Sequence, residues 1–131
     1  LRVVLEEGLE IRYERHSRNA AALRAGLEAL GMELVVPAEY RLAQVTPVWI
    51  PEGLEDNPVR QALLRDYGIE IGRGLGEFAG KVWRVGLMGE SSKPEYILAL
   101  LSALEEILPR NGFEVARGAG AAAASTVLAT A

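Results

Sequence analysis

The sequence has the length and composition of one ordinary folded domain: 131 residues, 14 of them Lys or Arg and 18 Asp or Glu, half of them hydrophobic, with a net charge of -4. Because Cys is absent and His16 is the single histidine, disulfides, thiolate chemistry and most zinc sites are excluded. The acidic balance argues against a nucleic-acid partner, and no apolar run approaches the ~20 residues that cross a bilayer. We therefore expect no nucleic acid, no membrane and a cytoplasmic location.

The first part of the chain predicts a long helix followed by two short strands. Over residues 9–30, apolar or neutral side chains recur every three or four positions, which is the spacing of one helical face. Gly31 is suited to end this helix in a left-handed turn, and Gly26 within it indicates a bend or a close contact. Strands are predicted over residues 32–36 and 44–50, each stopped by a proline.

Residues 56–80 predict a helix, a short strand and a glycine-rich loop. Asp56 is suited to cap the helix and Gly68 to end it. Residues 69–71 alternate apolar and charged side chains, so we expect a strand there. The glycines of residues 72–80 are expected to break all regular structure. They serve either turns that need a positive φ or a close approach of the backbone to a ligand or a neighbouring domain beside Arg84.

Beyond that loop, the sequence predicts a strand, a third helix and a loosely held tail. The strand covers residues 81–87. Ser92 and Glu95 have the spacing of a capping box, which starts a helix that ends near Pro109. The tail from residue 116 onward is mostly Ala, Gly, Ser and Thr, so it has too little apolar bulk to anchor a helix and is expected to be peripheral or frayed.

The predicted order of elements is α-β-β-α-β-β-α. Two strand pairs, each preceded by a helix, are typical of an α+β domain in which helices cover one face of a small, mainly antiparallel sheet. We assign this two-layer domain to residues 1–112 and treat residues 113–131 as an Ala/Gly-rich tail. The sequence begins at Leu1 within a helical pattern that has no cap, which we interpret as a cut.

Arg84 is the candidate binding residue. In the strand of residues 81–87 it shares a face with Val82 and Gly86. A guanidinium buried without a partner is costly, so Arg84 must reach water, pair with a local acid or bind an anion. A solvated or ion-paired arginine is one interpretation. The other is a fork for a carboxylate, because the planar guanidinium donates two parallel hydrogen bonds and Gly86 leaves space beside it.

No catalytic group accompanies Arg84 in the sequence. His16 lies on the apolar face of the first helix, and we assign it no catalysis. Lys81 and Lys93 are the only lysines, and neither has the apolar surroundings that suit a Schiff-base lysine. The residues alone therefore indicate a carboxylate-binding site without a nucleophile, a base or metal ligands.

Four segments carry more specific patterns, namely residues 26–31, 42–48, 69–76 and 80–89. The most specific is Gly-Leu-Gly followed by Lys-Val-x-Arg-x-Gly-Leu-x-Gly. Together, over residues 1–108, they resemble the C-terminal small domain of class V aminotransferases of the alanine–glyoxylate and serine–pyruvate type. The resemblance implies a pyridoxal-phosphate enzyme of fold type I, usually a homodimer, that moves an amino group from alanine or serine to glyoxylate or pyruvate.

By the pattern of that family, Arg84 binds the α-carboxylate of the amino or keto acid. The resemblance places the Schiff-base lysine, the aspartate facing the pyridine nitrogen and the phosphate-binding residues in a large domain, and nothing in this sequence matches them. We therefore expect pyridoxal phosphate to be bound by that large domain of the same polypeptide, and the isolated chain to be inactive. Trp83, Leu87 and the glycine-rich loop are expected to face the large domain.

A free-standing, non-catalytic α+β module is the alternative. Such a module would bind a small carboxylate ligand or a protein partner through Arg84 and the glycine-rich loop. A Met and a helix cap immediately upstream in the gene would favour the module. A longer coding sequence with a strand-borne lysine would favour the enzyme.

Overall fold

The computed structural model describes residues 2–35, 45–86 and 93–129, and within these ranges it leaves the side chains of residues 2–13 and of His16 undescribed. None of the helices in these ranges is long and apolar enough to cross a membrane. A 3-10 turn, Gly76–Phe78, lies between the second and third strands. The helices and strands are α1 (Arg2–Ala29), β1 (Val45–Trp49), α2 (Asp56–Tyr67), β2 (Gly72–Arg73), β3 (Val82–Gly86), α3 (Pro94–Arg110) and α4 (Ala119–Ala129).

Within the described ranges, the strands form one antiparallel sheet in the order β1-β3-β2, so β3 is central. Val48, Trp83 and Val85 are at most 2% exposed and belong to the same core cluster as the helices. Arg84, between two of these buried residues, is exposed. The helices therefore cover one face of a small antiparallel sheet, and the predicted α+β class is confirmed.

Apolar side chains at helical spacing hold the long helices in the core. The buried leucines and isoleucines of α3 are Ile97, Leu100, Leu101, Leu104, Ile107 and Leu108. As predicted, α1 ends just before Gly31, which has a φ of 90°. A Cβ added to Gly26 would collide with the Leu101 side chain and lie 3.0 Å from the carbonyl oxygen of Gly120. Gly26 therefore marks a close helix contact, which is one of the two predicted alternatives.

The prediction of a strand at residues 69–71 is wrong. Strand β2 is the next pair, Gly72–Arg73, which was expected to lie in an irregular loop. The backbone N–H of Ile69 donates to the carbonyl oxygen of Leu63 at 3.1 Å, which closes the end of α2. Ile69 and Ile71 are each 6% exposed. The alternation of apolar and charged side chains in this segment therefore arises because both isoleucines are buried in the core, although the segment pairs with none of the described strands.

The strand predicted at residues 32–36 is reduced to one isolated bridge. Leu34 pairs with Val48 of β1, and the last residue of that range lies outside the described part of the chain. Val35 donates to the carbonyl oxygen of Pro47 at 3.2 Å. Because proline has no N–H to donate in return, this edge of β1 cannot form a full ladder.

The helix starts also differ from the prediction. The N-cap positions are Glu55 for α2 and Lys93 for α3, and neither makes a side-chain capping hydrogen bond. Asp56, predicted to cap α2, lies in its first turn and its carboxylate bonds elsewhere. Ser92, the predicted cap of α3, lies outside the described residues. At the other end of α2, Gly68 has the expected left-handed conformation, with a φ of 66°.

The Ala-rich segment near the C-terminus forms helix α4, which packs against α1 and α3. Most of its residues are exposed or half-buried, so of the two predicted alternatives it is peripheral and not frayed. Ala124 of α4 is fully buried. A Cβ added to Gly120 would lie 3.0 Å from Cγ of Leu30, so α4 approaches the end of α1 closely. A carboxylate oxygen of Glu105 accepts a hydrogen bond from the N–H of Gly118 at 2.9 Å, just before α4 begins. Close approach of small side chains holds α4, together with Val127 and Leu128, which pack against the core. The domain boundary at residue 112 stays a prediction.

Candidate functional site

Arg84 lies on the sheet face opposite to the buried side chains of Trp83 and Val85. In the antiparallel register it is opposite Pro47 of β1 and Gly72 of β2. Residues directly opposite one another share one face of a sheet, and neither neighbour has a long side chain. The guanidinium is therefore exposed although its strand is the central one.

Arg84 lines an open groove of about 410 Å³ beside α2 and β2. Its polar side chains are Arg60, Gln61, Glu70, Arg73 and Arg84, and its apolar ones include Leu64 and Leu75. Arg60 is paired with Asp56, but the guanidinium groups of Arg73 and Arg84 still outnumber the Glu70 carboxylate, so the groove suits a small anion. Leu64 and Leu75 are 46% and 60% exposed, so one wall of the groove is apolar.

Within the part of the chain that the structure describes, one hydrogen bond holds the Arg84 side chain. Its Nε donates to the carbonyl oxygen of Arg73 at 3.0 Å. No carboxylate in the described ranges forms an ion pair with Arg84. Of the interpretations that the sequence left open, pairing with a local acid is therefore not observed within these ranges. The guanidinium is anchored through Nε and lines an open groove.

A polar cluster ties β3 to the start of α2. Oδ1 of Asp56 accepts hydrogen bonds from Nε of Arg60 at 2.6 Å and from Nε1 of Trp83 at 2.7 Å. Trp83 is 1% exposed, so the prediction that it faces a large domain is wrong. Leu87, predicted to do the same, lies outside the described residues. This cluster positions the strand that carries Arg84.

Sequence reasoning missed this cluster. A buried tryptophan usually finds an acceptor for its indole N–H, but the sequence does not show which residue that acceptor is. The partner, Asp56, lies 27 residues away. Its position before Pro58 indicated a helix cap instead.

Burial would raise the pKa of Asp56, but hydrogen bonds from Arg60 and Trp83 and the charges of Arg60 and Arg73 outweigh it and hold the pKa below its ordinary value of 3.8. A carboxyl group whose pKa is lower in the folded state stabilises the fold above its unfolded pKa. The contribution is lost as the pH falls through the folded pKa. Wild type and Asp56→Asn should therefore differ most at neutral pH, and the difference should shrink below about pH 4.

Chemical denaturation of both chains at neutral pH and at several acidic values measures this difference. Asp66→Asn is the control, because Asp66 pairs with Arg65 at 3.0 Å on the surface, where ion pairs contribute little. A stability difference between wild type and Asp56→Asn that stays constant into strong acid would contradict the role assigned to Asp56.

The lysines lie away from the groove. Lys81 and Lys93 are both exposed, and neither lines the groove beside Arg84. The described residues therefore offer no amine next to Arg84 that could form a Schiff base, and pyridoxal phosphate does not fit this part of the chain. Within the same ranges, no group of three acidic, His or Cys side chains could hold a metal ion.

Comparison with known proteins identifies relatives over nearly the whole chain, although no protein-family model matches the sequence. The chain is 43% identical over 127 residues to an (S)-ureidoglycine–glyoxylate transaminase of Bacillus subtilis, covering 97% of this chain and 30% of that protein. It is 35% identical over 129 residues to a serine–glyoxylate aminotransferase of Arabidopsis thaliana, covering 98% of this chain and 32% of that protein.

The fold agrees with these similarities. The crystal structure of the ureidoglycine–glyoxylate aminotransferase from Bacillus subtilis matches with a TM-score of 0.89 at 43% identity, covering 97% of this chain and 33% of that one. This match therefore includes residues beyond 108, which the resemblance found in the sequence did not cover. The chain spans about a third of the length of the relatives it matches. These similarities place the chain among the class V aminotransferases, as the counterpart of about a third of such an enzyme.

Proposed function

We propose that this chain is the part of a pyridoxal-phosphate-dependent aminotransferase that binds the substrate carboxylate, and that Arg84 makes the contact. The observation that carries the proposal is the exposed guanidinium of Arg84, anchored through Nε to the Arg73 carbonyl in a cationic groove. Amino acids and keto acids share the α-carboxylate. A planar fork of donors can therefore bind the substrate of either half of a transamination.

The remaining machinery is proposed to lie in the large domain of the same polypeptide. The lengths of the relatives support this, since the chain matches about a third of each. When bound there, pyridoxal phosphate supplies the electron sink for amino-group transfer. The residues of this chain bind and orient the substrate, which is insufficient for activity alone. A homodimeric enzyme and a cytoplasmic location stay predictions.

The proposed substrates are small: alanine or serine as amino donor, and glyoxylate or pyruvate as acceptor. The names of the two relatives support glyoxylate as acceptor and differ in the donor, which is ureidoglycine in one and serine in the other. A free-standing carboxylate-binding module has less support, because these relatives match nearly the whole chain and are aminotransferases.

Substitution of Arg84 in the full natural polypeptide that carries this chain tests the proposal. Hydrogen bonds to a charged group contribute about 1.5–3 kcal/mol, so Arg84→Ala should raise KM for the amino acid and for the keto acid by about 10- to 100-fold. Arg84→Lys should lie between Arg84→Ala and wild type, because an ammonium keeps the charge and loses the fork.

Arg65→Ala is the matched control. Arg65 is also an exposed arginine, paired with Asp66 at 3.0 Å, and it does not line the groove. We expect it to change both KM values by less than about twofold, because an exposed ion pair away from the substrate contributes little. Wild-type KM values for both substrates in Arg84→Ala would overturn the proposal.

A further inference from the structure

We infer that strand β2 sets the direction from which Arg84 accepts a carboxylate, and that Gly72 is a positioning residue for this contact. The inference rests on the proposed function of Arg84 and deepens it. Strand β2 lies at the edge of the sheet, with Gly72 directly opposite Arg84. The proposed contact between Arg84 and the substrate does not by itself give β2 a role.

A guanidinium can hold a carboxylate with two parallel hydrogen bonds in two ways. Its side edge uses Nε and Nη2, and its end edge uses Nη1 and Nη2. In Arg84, Nε already donates to the carbonyl oxygen of Arg73 at 3.0 Å. Nη2 lies 3.4 Å from the position that a Cβ on Gly72 would take. Both nitrogens of the side edge therefore lie against β2.

The end edge is left for the ligand. A carboxylate that binds through Nη1 and Nη2 lies along the long axis of the guanidinium, on the groove side. This arrangement also fixes the direction of the bond from the carboxylate to the α-carbon. Strand β2 thereby orients the reacting part of the substrate, which is a condition for rapid group transfer.

Gly72 has room for one carbon atom and no more. An added Cβ would lie 3.4 Å from Nη2 and from the carbonyl oxygen of Arg84, and 3.6 Å from its Cβ. These are ordinary contact distances, so alanine fits. The methyl groups of valine would extend into the space that Nη2 occupies and push the guanidinium away from the Arg73 carbonyl. Gly72 does not have a left-handed φ, so backbone strain does not complicate the substitution.

The test uses Gly72→Ala and Gly72→Val in the full natural polypeptide. The measured quantity is the inhibition constant of propionate, an unreactive carboxylate, with propionamide as its uncharged analogue. We expect Gly72→Val to weaken propionate binding by about tenfold, and Gly72→Ala, which fits, to change it by less than about twofold, with propionamide binding unchanged in both variants. A loss of active protein through unfolding would not change an inhibition constant.

A double-mutant cycle separates positioning from general damage. The Arg84→Lys variant has no guanidinium and therefore neither of its two edges. Adding Gly72→Val to this variant should change the inhibition constant of propionate by less than about twofold. Gly53→Ala is the control for stability. Gly53 has a φ of 91° with nothing within 4 Å, so an alanine there strains the backbone away from the groove and should leave propionate binding unchanged.

The outcomes distinguish this inference from the proposed function. If Arg84→Lys leaves propionate binding unchanged, the proposed function itself fails. If Arg84→Lys weakens it while Gly72→Val does not, or if Gly72→Val has equal effects in both backgrounds, the positioning inference alone is overturned. Should Gly72→Val fail to fold, Gly72→Thr decides, because threonine also carries two atoms beyond Cβ: a rise of about tenfold in the propionate constant supports the inference and an unchanged constant overturns it.

Discussion

Replacement of Trp83 by alanine is expected to lower the free energy of unfolding by about 4 kcal/mol, within the range for removing a buried aromatic side chain. Trp83 is 1% exposed and lies in the central strand, within the core cluster. Its removal leaves a cavity between sheet and helices. It also removes one of the two side-chain donors to Oδ1 of Asp56, which adds the cost of a hydrogen bond lost by a partly buried carboxylate.

Equilibrium urea denaturation, followed by far-ultraviolet circular dichroism, measures the effect. Trp83→Phe keeps an aromatic ring and loses the N–H donor, so it should cost about 1–2 kcal/mol. Trp49→Ala is a matched control, because Trp49 is only partly buried. Its ring packs against that of Phe78, with 5.8 Å between the ring centroids. We expect Trp49→Ala to cost about half as much as Trp83→Ala. Equal losses for Trp83→Phe and Trp83→Ala would contradict the cavity argument.

Gly74→Ala is expected to have the second largest effect, about 3 kcal/mol, at the upper end of the usual cost of overpacking. A Cβ at Gly74 would collide with the carbonyl oxygen of Phe78, and would lie 2.8 Å from its carbonyl carbon and 3.1 Å from the carbonyl oxygen of Val82. These are backbone atoms, which cannot rotate away as a side chain can. The segment between β2 and β3 would have to shift as a whole.

Gly80→Ala, in the same segment, separates steric contact from backbone conformation. Gly80 has a φ of 76° with nothing within 4 Å, so alanine there should cost only about 1 kcal/mol for the left-handed backbone. Thermal and urea unfolding of both variants against wild type measures the two costs. A Gly80→Ala variant as unstable as Gly74→Ala would show that conformation, and not close approach, explains both glycines.

In the glycine-rich loop, the sequence pattern predicted the reason for some of the glycines and not for all of them. The sequence predicted that its glycines serve turns with positive φ, and this is confirmed for Gly76 and Gly80. Gly74 has another reason, since a Cβ there would collide with the backbone of Phe78. A pattern of glycines cannot distinguish these two reasons, because both depend on the absence of a Cβ.

The sequence by itself determined the features that depend on residues a few positions apart. The end of α1 at Gly31 and of α2 at Gly68 follows from local backbone preference. The apolar face of α3 follows from spacing by three and four residues. Arg84 could be chosen as the candidate site because a charged residue within an apolar strand is conspicuous, whichever strands it pairs with.

Only the tertiary structure decided how that candidate is held. It brought Asp56 to Trp83, across 27 residues of chain, and packed the small side chains of α4 closely enough to order it. It also placed Gly72 and the Arg73 carbonyl beside Arg84. These contacts depend on strand register and on close approach between distant segments, which local patterns do not encode. The identity of the carboxylate-binding candidate is therefore readable from sequence, whereas its orientation is a property of the fold.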